Sequence, residues 1–197
     1  KTAYEIKECD WSSDVCSSDL YSMKLNAHVI KYNTKPDINF THHVSGIKAA
    51  YFEGEKLTFT VTATQNSYLH VFCINETEAS LLYPNGSESM RLLEATTATA
   101  QKNHTFPIST QLKINQNLTD KLMPEIEYVF ELTNKKLKEE THRLVFVFTK
   151  NPIKYISFKN QQDQVTSPED IFNWIYKMQP SERNQDVVSF TLHQKTN

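Results

Sequence analysis

The chain has 197 residues, of which 39% are hydrophobic and 22% are charged, and its formal net charge is -2. This composition is typical of a globular protein rather than of an intrinsically disordered chain, and the near balance of dispersed charges argues against nucleic-acid binding. No run approaches the roughly 20 apolar residues that a membrane-spanning helix requires, so we expect no transmembrane segment.

The N-terminus contains an acidic, serine-rich segment, which could be a loop of the fold but has a more specific resemblance. Residues 10–20 resemble, residue for residue, the conceptual translation of a short-read sequencing adapter. We therefore interpret residues 1–20 as an artefactual, non-native segment and exclude them from the fold. Cys16 is then removed and Cys9 adjoins the junction, so Cys73 remains without a partner for an intrachain disulfide.

From Tyr21 onward, apolar residues recur with a period of two, which predicts β-strands. A first strand is expected at residues 25–29. Residues 57–61 alternate apolar side chains with threonine, which predicts a half-buried strand whose threonine face meets solvent. Residues 67–74 are apolar on both alternations, as expected of a central strand covered on both faces, and residues 80–83 should pair with it in antiparallel fashion.

The second half of the chain predicts two further strands and a loop. Residues 128–132 and 143–148 are strongly apolar, and the charged segment 134–140 between them is typical of an exposed hairpin loop. We therefore expect Glu139 and Glu140 to be surface charges.

A helix follows near the C-terminus. Ser167 and Pro168 are typical of an N-cap and a first helical position, and Asp170 favours the helix start. The next apolar residues fall at positions i, i+3, i+4 and i+7, namely Ile171, Trp174, Ile175 and Met178. The pattern predicts a helix over about residues 168–178 that packs through one apolar stripe, followed by a final strand.

Several motifs in the first half resemble a known bacterial family. They are Gly54-Glu55 before a strand, the alternation Leu57/Phe59/Val61, the central strand Tyr68-Leu69-His70-Val71-Phe72, the turn Leu82-Tyr83-Pro84-Asn85, and the later step Phe106-Pro107. Over about residues 46–150 they resemble the family called domain of unknown function 4384. The resemblance implies an immunoglobulin-like β-sandwich in an exported or envelope-associated bacterial protein, with no assigned activity and no catalytic residues to carry over.

We therefore predict an all-β protein. An immunoglobulin-like antiparallel β-sandwich should span residues 21–158, and residues 159–197 should add the α-helix and a final strand packed on it. From the resemblance we expect a location in the periplasm or cell envelope.

The motif residues have a structural interpretation, and they are Gly54, Glu55, Tyr68, Tyr83, Pro84, Asn85 and Gly86. Glu55 can accept hydrogen bonds from backbone amides at the entry to its strand. Asn85 can form an Asx-type turn, with Pro84 setting the chain direction.

The sequence offers few reactive groups. Cys73 and His70 are three residues apart, so on a strand they lie on opposite faces and cannot bond to each other. His104 or His142 could approach Cys73 from elsewhere, but a buried packing cysteine is the favoured interpretation. Neighbouring His42 and His43 point apart on a strand.

With only three glycines, the chain has no phosphate-binding loop. We expect no catalytic residue, no metal and no cofactor.

Three function classes follow. The leading one is a non-catalytic accessory or protein-interaction module, with an unknown protein partner recognised through edge strands or loops. The alternative is a glycan-binding module that stacks sugars on exposed aromatic residues, for which Tyr51, Tyr83 and Trp174 are the candidates. A hydrolase is third, because it requires histidine with carboxylate or thiol groups to converge in one pocket.

Overall fold

The structure is a computed structural model, and it describes residues 29–76, 78–85, 89–108, 127–159 and 164–195. The chain divides into two units after Ile30, and all elements described below belong to Lys31–Asn197. The adapter-like segment, nearly all of the first predicted strand and Gly86 lie outside the described residues.

The described residues form twelve strands, one α-helix and one short 3-10 helix. The strands are β1 His42–Ser45, β2 Ala50–Phe52, β3 Lys56–Leu57, β4 Phe59–Ala63, β5 Ser67–Ile74, β6 Ala79–Tyr83, β7 Leu92–Leu93, β8 His104–Phe106, β9 Tyr128–Val129, β10 Glu139–Thr149, β11 Val165–Thr166 and β12 Arg183–His193. The helix α1 is Pro168–Lys177, and the 3-10 helix is Pro180–Glu182.

These strands form one large sheet and two small ones. The large sheet has the order β11-β6-β5-β10-β12-β2, with β7 also pairing with β5. The small sheets are β1-β4-β8 and β3-β9. Every pairing among the described strands is antiparallel except β12 with β2. The prediction of an all-β sandwich with one C-terminal helix and a final strand is confirmed.

The central strand β5 separates two apolar cores. Side chains alternate between faces along a strand, so Leu69, Val71 and Cys73 belong to the core that includes residues of the small sheets. Phe72 and Ile74 face the opposite way and pack in a second core with residues of α1. We call these the inner and outer faces of β5. Apolar residues on both alternations did predict a strand covered on both sides.

Helix α1 covers the outer face as its sequence predicts. The Ser167 hydroxyl accepts a hydrogen bond from the Asp170 amide at 3.1 Å, which caps the first turn. Ile171 and Ile175 are fully buried in the outer core, and Trp174 packs against it. Burial of an isoleucine side chain contributes about 1.5 to 3 kcal/mol, so the apolar stripe holds the helix on the sheet.

The predicted hairpin around residues 134–140 is wrong. β9 spans only Tyr128–Val129 and pairs with β3. β10 pairs instead with β5 on one side and β12 on the other. Because a strand has only two edges, β10 has no edge left for the preceding strand, which joins a different sheet.

The final strand is an integral part of the large sheet. β12 pairs with β10 over all eleven of its residues, from Arg183 opposite Thr149 to His193 opposite Glu139. Its last three residues also pair with β2, which joins residues early and late in the chain.

Candidate functional site

The turn at Gly54 and Glu55 has a structural role. Gly54 has a φ of 82°, a left-handed conformation that glycine adopts readily. The Phe52 amide donates to Glu55 Oε2 at 3.1 Å, and the Glu55 amide donates back to the Phe52 carbonyl at 2.9 Å. Glu55 therefore accepts a backbone hydrogen bond, as the sequence predicts.

The second motif turn is held by side chains of β6 and its exit. The Tyr83 hydroxyl donates to the Ser89 carbonyl at 3.2 Å and accepts from the Arg91 amide at 3.0 Å. The Asn85 side-chain amide donates to the Leu82 carbonyl at 2.7 Å. Tyr83 thus anchors the following loop from inside the core. Pro84 continues this turn and Tyr68 is a half-buried member of β5.

The three aromatic residues predicted to bind glycans do not form an exposed face. Tyr51 and Tyr83 are buried in the inner core, at 1% and 0% exposure. Trp174 is half-buried on the other side of the sheet, where its ring meets Phe72 and Tyr155 edge-on. The prediction that these three residues stack against a sugar is therefore wrong. Their rings pack against other side chains in the two cores, and this leaves the three residues no exposed aromatic face for a sugar ring.

A different group of side chains meets on the inner face. Cys73 of β5 lies opposite Leu144 of β10, two residues beyond His142. Cys73 Sγ is 3.6 Å from His142 Nδ1, and His142 Nε2 is 3.3 Å from Glu140 Oε2. The side chains of His142 and Glu140 are only 4% and 2% exposed. A thiol, an imidazole and a carboxylate therefore form one buried chain, which we call the thiol chain.

The backbone before β10 holds the carboxylate of this chain. Glu140 accepts hydrogen bonds from the Thr133 amide at 3.0 Å, the Thr133 hydroxyl at 2.8 Å and the Asn134 amide at 2.8 Å. Burial alone would raise the pKa of Glu140, but these hydrogen bonds outweigh it and hold the pKa below its usual value. The prediction that Glu140 is a surface charge is wrong.

The charge of Glu140 determines how His142 bonds. Burial lowers the pKa of His142, although Glu140 opposes this effect, so the imidazole is neutral at neutral pH. An ionised carboxylate only accepts hydrogen bonds, so we assign the imidazole proton to Nε2. Nδ1 then has a lone pair that accepts the proton of the Cys73 thiol.

The thiol chain borders a cleft of about 180 Å³. Its lining includes Ser80, Phe130 and the exposed residues Glu78 and Glu131. Burial raises the pKa of Cys73 to about 12, so the side chain is a neutral thiol at neutral pH. In geometry, Cys73, His142 and Glu140 resemble a nucleophile, a base and an orienting carboxylate. At neutral pH, however, Cys73 keeps its proton and acts as a hydrogen-bonded residue of the core.

The sequence identifies His142 as one of two histidines that could approach Cys73, but it does not identify Glu140, although β10 carries a signal for both. Glu140 and His142 have the same parity as Leu144, Phe146 and Phe148, which are buried in the inner core. Extending the alternation of the apolar strand toward its N-terminus would place both polar side chains inside. His70, in contrast, lies on the outer face, away from Cys73, as strand geometry predicts.

The second functional feature is an open edge on β12. Between residues 183 and 190 no strand among the described residues pairs with the side of β12 opposite β10. The Gln185 amide donates to Asn184 Oδ1 at 2.7 Å, and the Val187 amide donates to Asp186 Oδ1 at 2.8 Å. Every second amide along an edge strand points outward, away from its one partner strand. At this edge, the side chains of Asn184 and Asp186 accept the hydrogen bonds that a neighbouring strand would otherwise accept.

Comparison with known proteins does not assign a family. No family model matches the chain, and no curated protein matches it. In the described part of the chain, no helix has the length and apolar character needed to cross a membrane. Among the described residues, there is no group of three or more histidine, cysteine, aspartate or glutamate side chains that could hold a metal ion.

Proposed function

We propose that this protein is a non-catalytic interaction module that binds an extended segment of a partner protein along β12. The observation that carries the proposal is the open edge at residues 183–190. β-Strand addition supplies affinity through main-chain hydrogen bonds and specificity through alternate side chains. The resemblance of residues 46–150 to the domain of unknown function 4384 family extends the proposal to an accessory role in the envelope of a bacterium.

The chemistry of the edge favours this occupant. The amides of Gln185 and Val187 each donate to the side chain of the residue before, so an incoming strand would replace one acceptor by another. Asn184 also donates to the Phe40 carbonyl at 2.6 Å, and this bond holds its side chain beside the edge. Val187 is 45% exposed and offers an apolar contact beside the charged Asp186. We therefore expect peptides with alternating β-branched and basic residues to bind.

A library of displayed eight-residue peptides with that alternation tests the proposal. Selected peptides should slow hydrogen exchange at the amides of Gln185, Val187 and Ser189. Val187→Pro removes one outward donor without removing a bond to β10, and should weaken binding about tenfold, whereas Val187→Ala keeps the donor and should change affinity less than about threefold. Unchanged exchange at these amides, or equal affinity of both folded variants, would contradict the proposal.

A hydrolase is the second candidate, because the thiol chain brings a thiol, a histidine and a carboxylate together. In such a reaction Cys73 Sγ would bond to a substrate carbonyl carbon, the carbonyl π electrons would move to the oxygen, and the thiol proton would move to His142 Nδ1. As the carbonyl re-formed, the bond to the leaving group would break and the leaving group would take that proton, and water would then release the acid from the thioester and restore the thiol. The raised pKa of Cys73 argues against this role.

Iodoacetamide labelling separates the two candidates. We expect native Cys73 to react at pH 8 about a thousandfold more slowly than a free cysteine, since its pKa is about three units higher. Rapid labelling of the native protein that His142→Gln abolishes, together with ester hydrolysis lost in Cys73→Ala, would favour the hydrolase instead.

A further inference from the structure

The outer face of β5 contains a buried histidine whose polar atoms are unmatched. His70 has 0% exposure, and neither Nδ1 nor Nε2 has a hydrogen-bond partner within the described residues. Its ring is 4.8 Å from that of Trp174 and 6.4 Å from that of Phe72. Aromatic packing therefore holds the imidazole in place but provides no hydrogen bond to its ring nitrogens.

The protonation state of His70 defines what it can offer. Burial lowers its pKa to about 4, while the nearby backbone of Ile153 acts in the opposite direction without forming a hydrogen bond of ordinary geometry. At neutral pH the ring is uncharged, with one N–H donor and one nitrogen acceptor. Buried polar groups are normally hydrogen-bonded, so an unmatched pair of ring nitrogens requires an explanation.

His70 borders a cavity of about 400 Å³ on this side of the sheet. That volume lies within the range of small-molecule sites, and an engineered apolar cavity of about 150 Å³ already holds benzene. The apolar part of the wall is formed by Leu81, Pro84, Met90, Tyr155 and Phe158. Lys154, an exposed residue, supplies a positive charge to the lining.

The wall also includes backbone in an uncommon conformation. Gln164 has a φ of 54°, in the left-handed region that residues other than glycine seldom adopt. Its carbonyl accepts a hydrogen bond from the Leu81 amide at 3.2 Å, which ties it to β6. Such strained residues occur preferentially at ligand sites, where the surrounding structure holds them.

We propose that this cavity binds a small, uncharged aromatic molecule that carries a hydroxyl group, a ligand of the phenol class. The ring of the ligand contacts the apolar wall, and its hydroxyl donates to the unprotonated nitrogen of His70 once the side chains that cover this nitrogen move aside. Lys154 disfavours a cation in the cavity, and the apolar lining disfavours a fully ionised ligand. Hydroxyl recognition by an otherwise unmatched buried group gives strong discrimination against an analogue that lacks the hydroxyl.

Titration of the native protein with phenol and with toluene tests this proposal. Phenol should bind at least tenfold more tightly than toluene, and should shift the imidazole ¹⁵N resonances of His70. His70→Phe keeps an aromatic ring of similar size and should abolish the preference, whereas the matched change His43→Phe, at an exposed residue of β1, should preserve it.

A second variant keeps the test independent of His70. Met90→Trp should fill part of the cavity, so it should weaken phenol binding at least tenfold while leaving His70 in place. The proposal would be overturned if phenol failed to bind or bound no more tightly than toluene. It would equally be overturned if the preference for phenol persisted in His70→Phe, or if the binding constant for phenol were unchanged in Met90→Trp. None of these results depends on the open edge of β12.

Discussion

The two faces of β5 bury histidines in opposite ways. On the inner face, His142 of β10 is hydrogen-bonded at both ring nitrogens, to Cys73 and to Glu140. On the outer face, His70 of β5 is similarly buried and packs beside the rings of Trp174 and Phe72, and neither of its ring nitrogens has a hydrogen-bond partner among the described residues. Both imidazoles have lowered pKa values, because burial disfavours the imidazolium in each case.

The difference between the faces lies in the neighbouring backbone. Thr133 and Asn134 direct hydrogen-bond donors at Glu140, so the inner face stabilises an ionised carboxylate that in turn orients His142. The outer face is covered by α1, whose buried residues Ile171 and Ile175 are apolar. The same residue type is therefore a satisfied structural group on one face and a ligand candidate on the other. The following predictions test this contrast.

The largest expected effect follows removal of the Glu140 carboxylate. Glu140→Ala would leave the Thr133 and Asn134 amides and His142 Nε2 without their buried acceptor, and should lower the free energy of unfolding by about 3 to 5 kcal/mol. Glu140→Gln keeps an acceptor oxygen and should cost about 1 to 3 kcal/mol. Urea denaturation measures both. Equal losses would contradict this prediction, because the acceptor oxygen and the volume that glutamine keeps would then contribute nothing to stability.

The outer face should dominate stability in mild acid. The folded-state pKa of His70 is about 4, below its ordinary value of 6.5, so the unfolded chain binds more protons at pH values between the two. Stability from this residue is present above pH 6.5 and is lost as pH falls to 4, by about 3 kcal/mol in total.

His70→Phe isolates the contribution of His70 to the pH dependence of stability. Its stability should match or exceed that of the native protein at pH 7, because the two buried ring nitrogens of His70 that have no hydrogen-bond partner are removed. Between pH 6.5 and 4 it should lose about 3 kcal/mol less than the native protein, as measured by urea denaturation at each pH. Parallel pH profiles for the two proteins would show that His70 is solvated in the folded state.

The inner face should instead lose stability in alkali. Burial raises the folded-state pKa of Cys73 from 9.0 to about 12, so the unfolded chain loses its thiol proton first. The contribution is complete below pH 9 and should fall by about 2 kcal/mol between pH 9 and 10.5. Cys73→Ser, which keeps a donor for His142 but does not titrate there, should lack this component. Denaturation profiles of the two proteins that coincide above pH 9 would refute the buried-thiol assignment.

The smallest expected effect concerns the helix that covers the outer face. Ser167→Ala removes the N-cap acceptor of the Asp170 amide and should cost about 1 kcal/mol. Ser167→Asp keeps a capping oxygen and should retain most of the stability. Thermal unfolding monitored by circular dichroism measures the difference, and an alanine variant as stable as the aspartate variant would show that packing alone fixes the helix start.

Much of the fold is predictable because it depends on local geometry. Apolar residues on both alternations predict the two-sided burial of β5, and the capping residues predict the start of α1 within one residue. The hairpin between β9 and β10 is not predictable in this way, since adjacency in sequence is a weaker constraint than the competition among strands for the two edges of β10.

The candidate site was less predictable than the fold. Glu139 and Glu140 belong to one charged run, yet Glu139 is exposed and Glu140 is buried. Their different positions follow from the period of two along β10, which a local count of charge does not capture. The aromatic residues Tyr51 and Tyr83 show the converse error, since their binding chemistry was predicted without knowing that both lie in the core.

The sequence by itself determines the periods of its strands, the boundaries of its helix and the separation of His70 from Cys73, because these follow from φ/ψ geometry over a few residues. Tertiary structure alone decides that Cys73 meets His142, 69 residues away, and that no described strand pairs with the outer edge of β12 over residues 183–190. Such contacts depend on which strands compete successfully for each edge, and that outcome is a property of the whole sheet rather than of any segment.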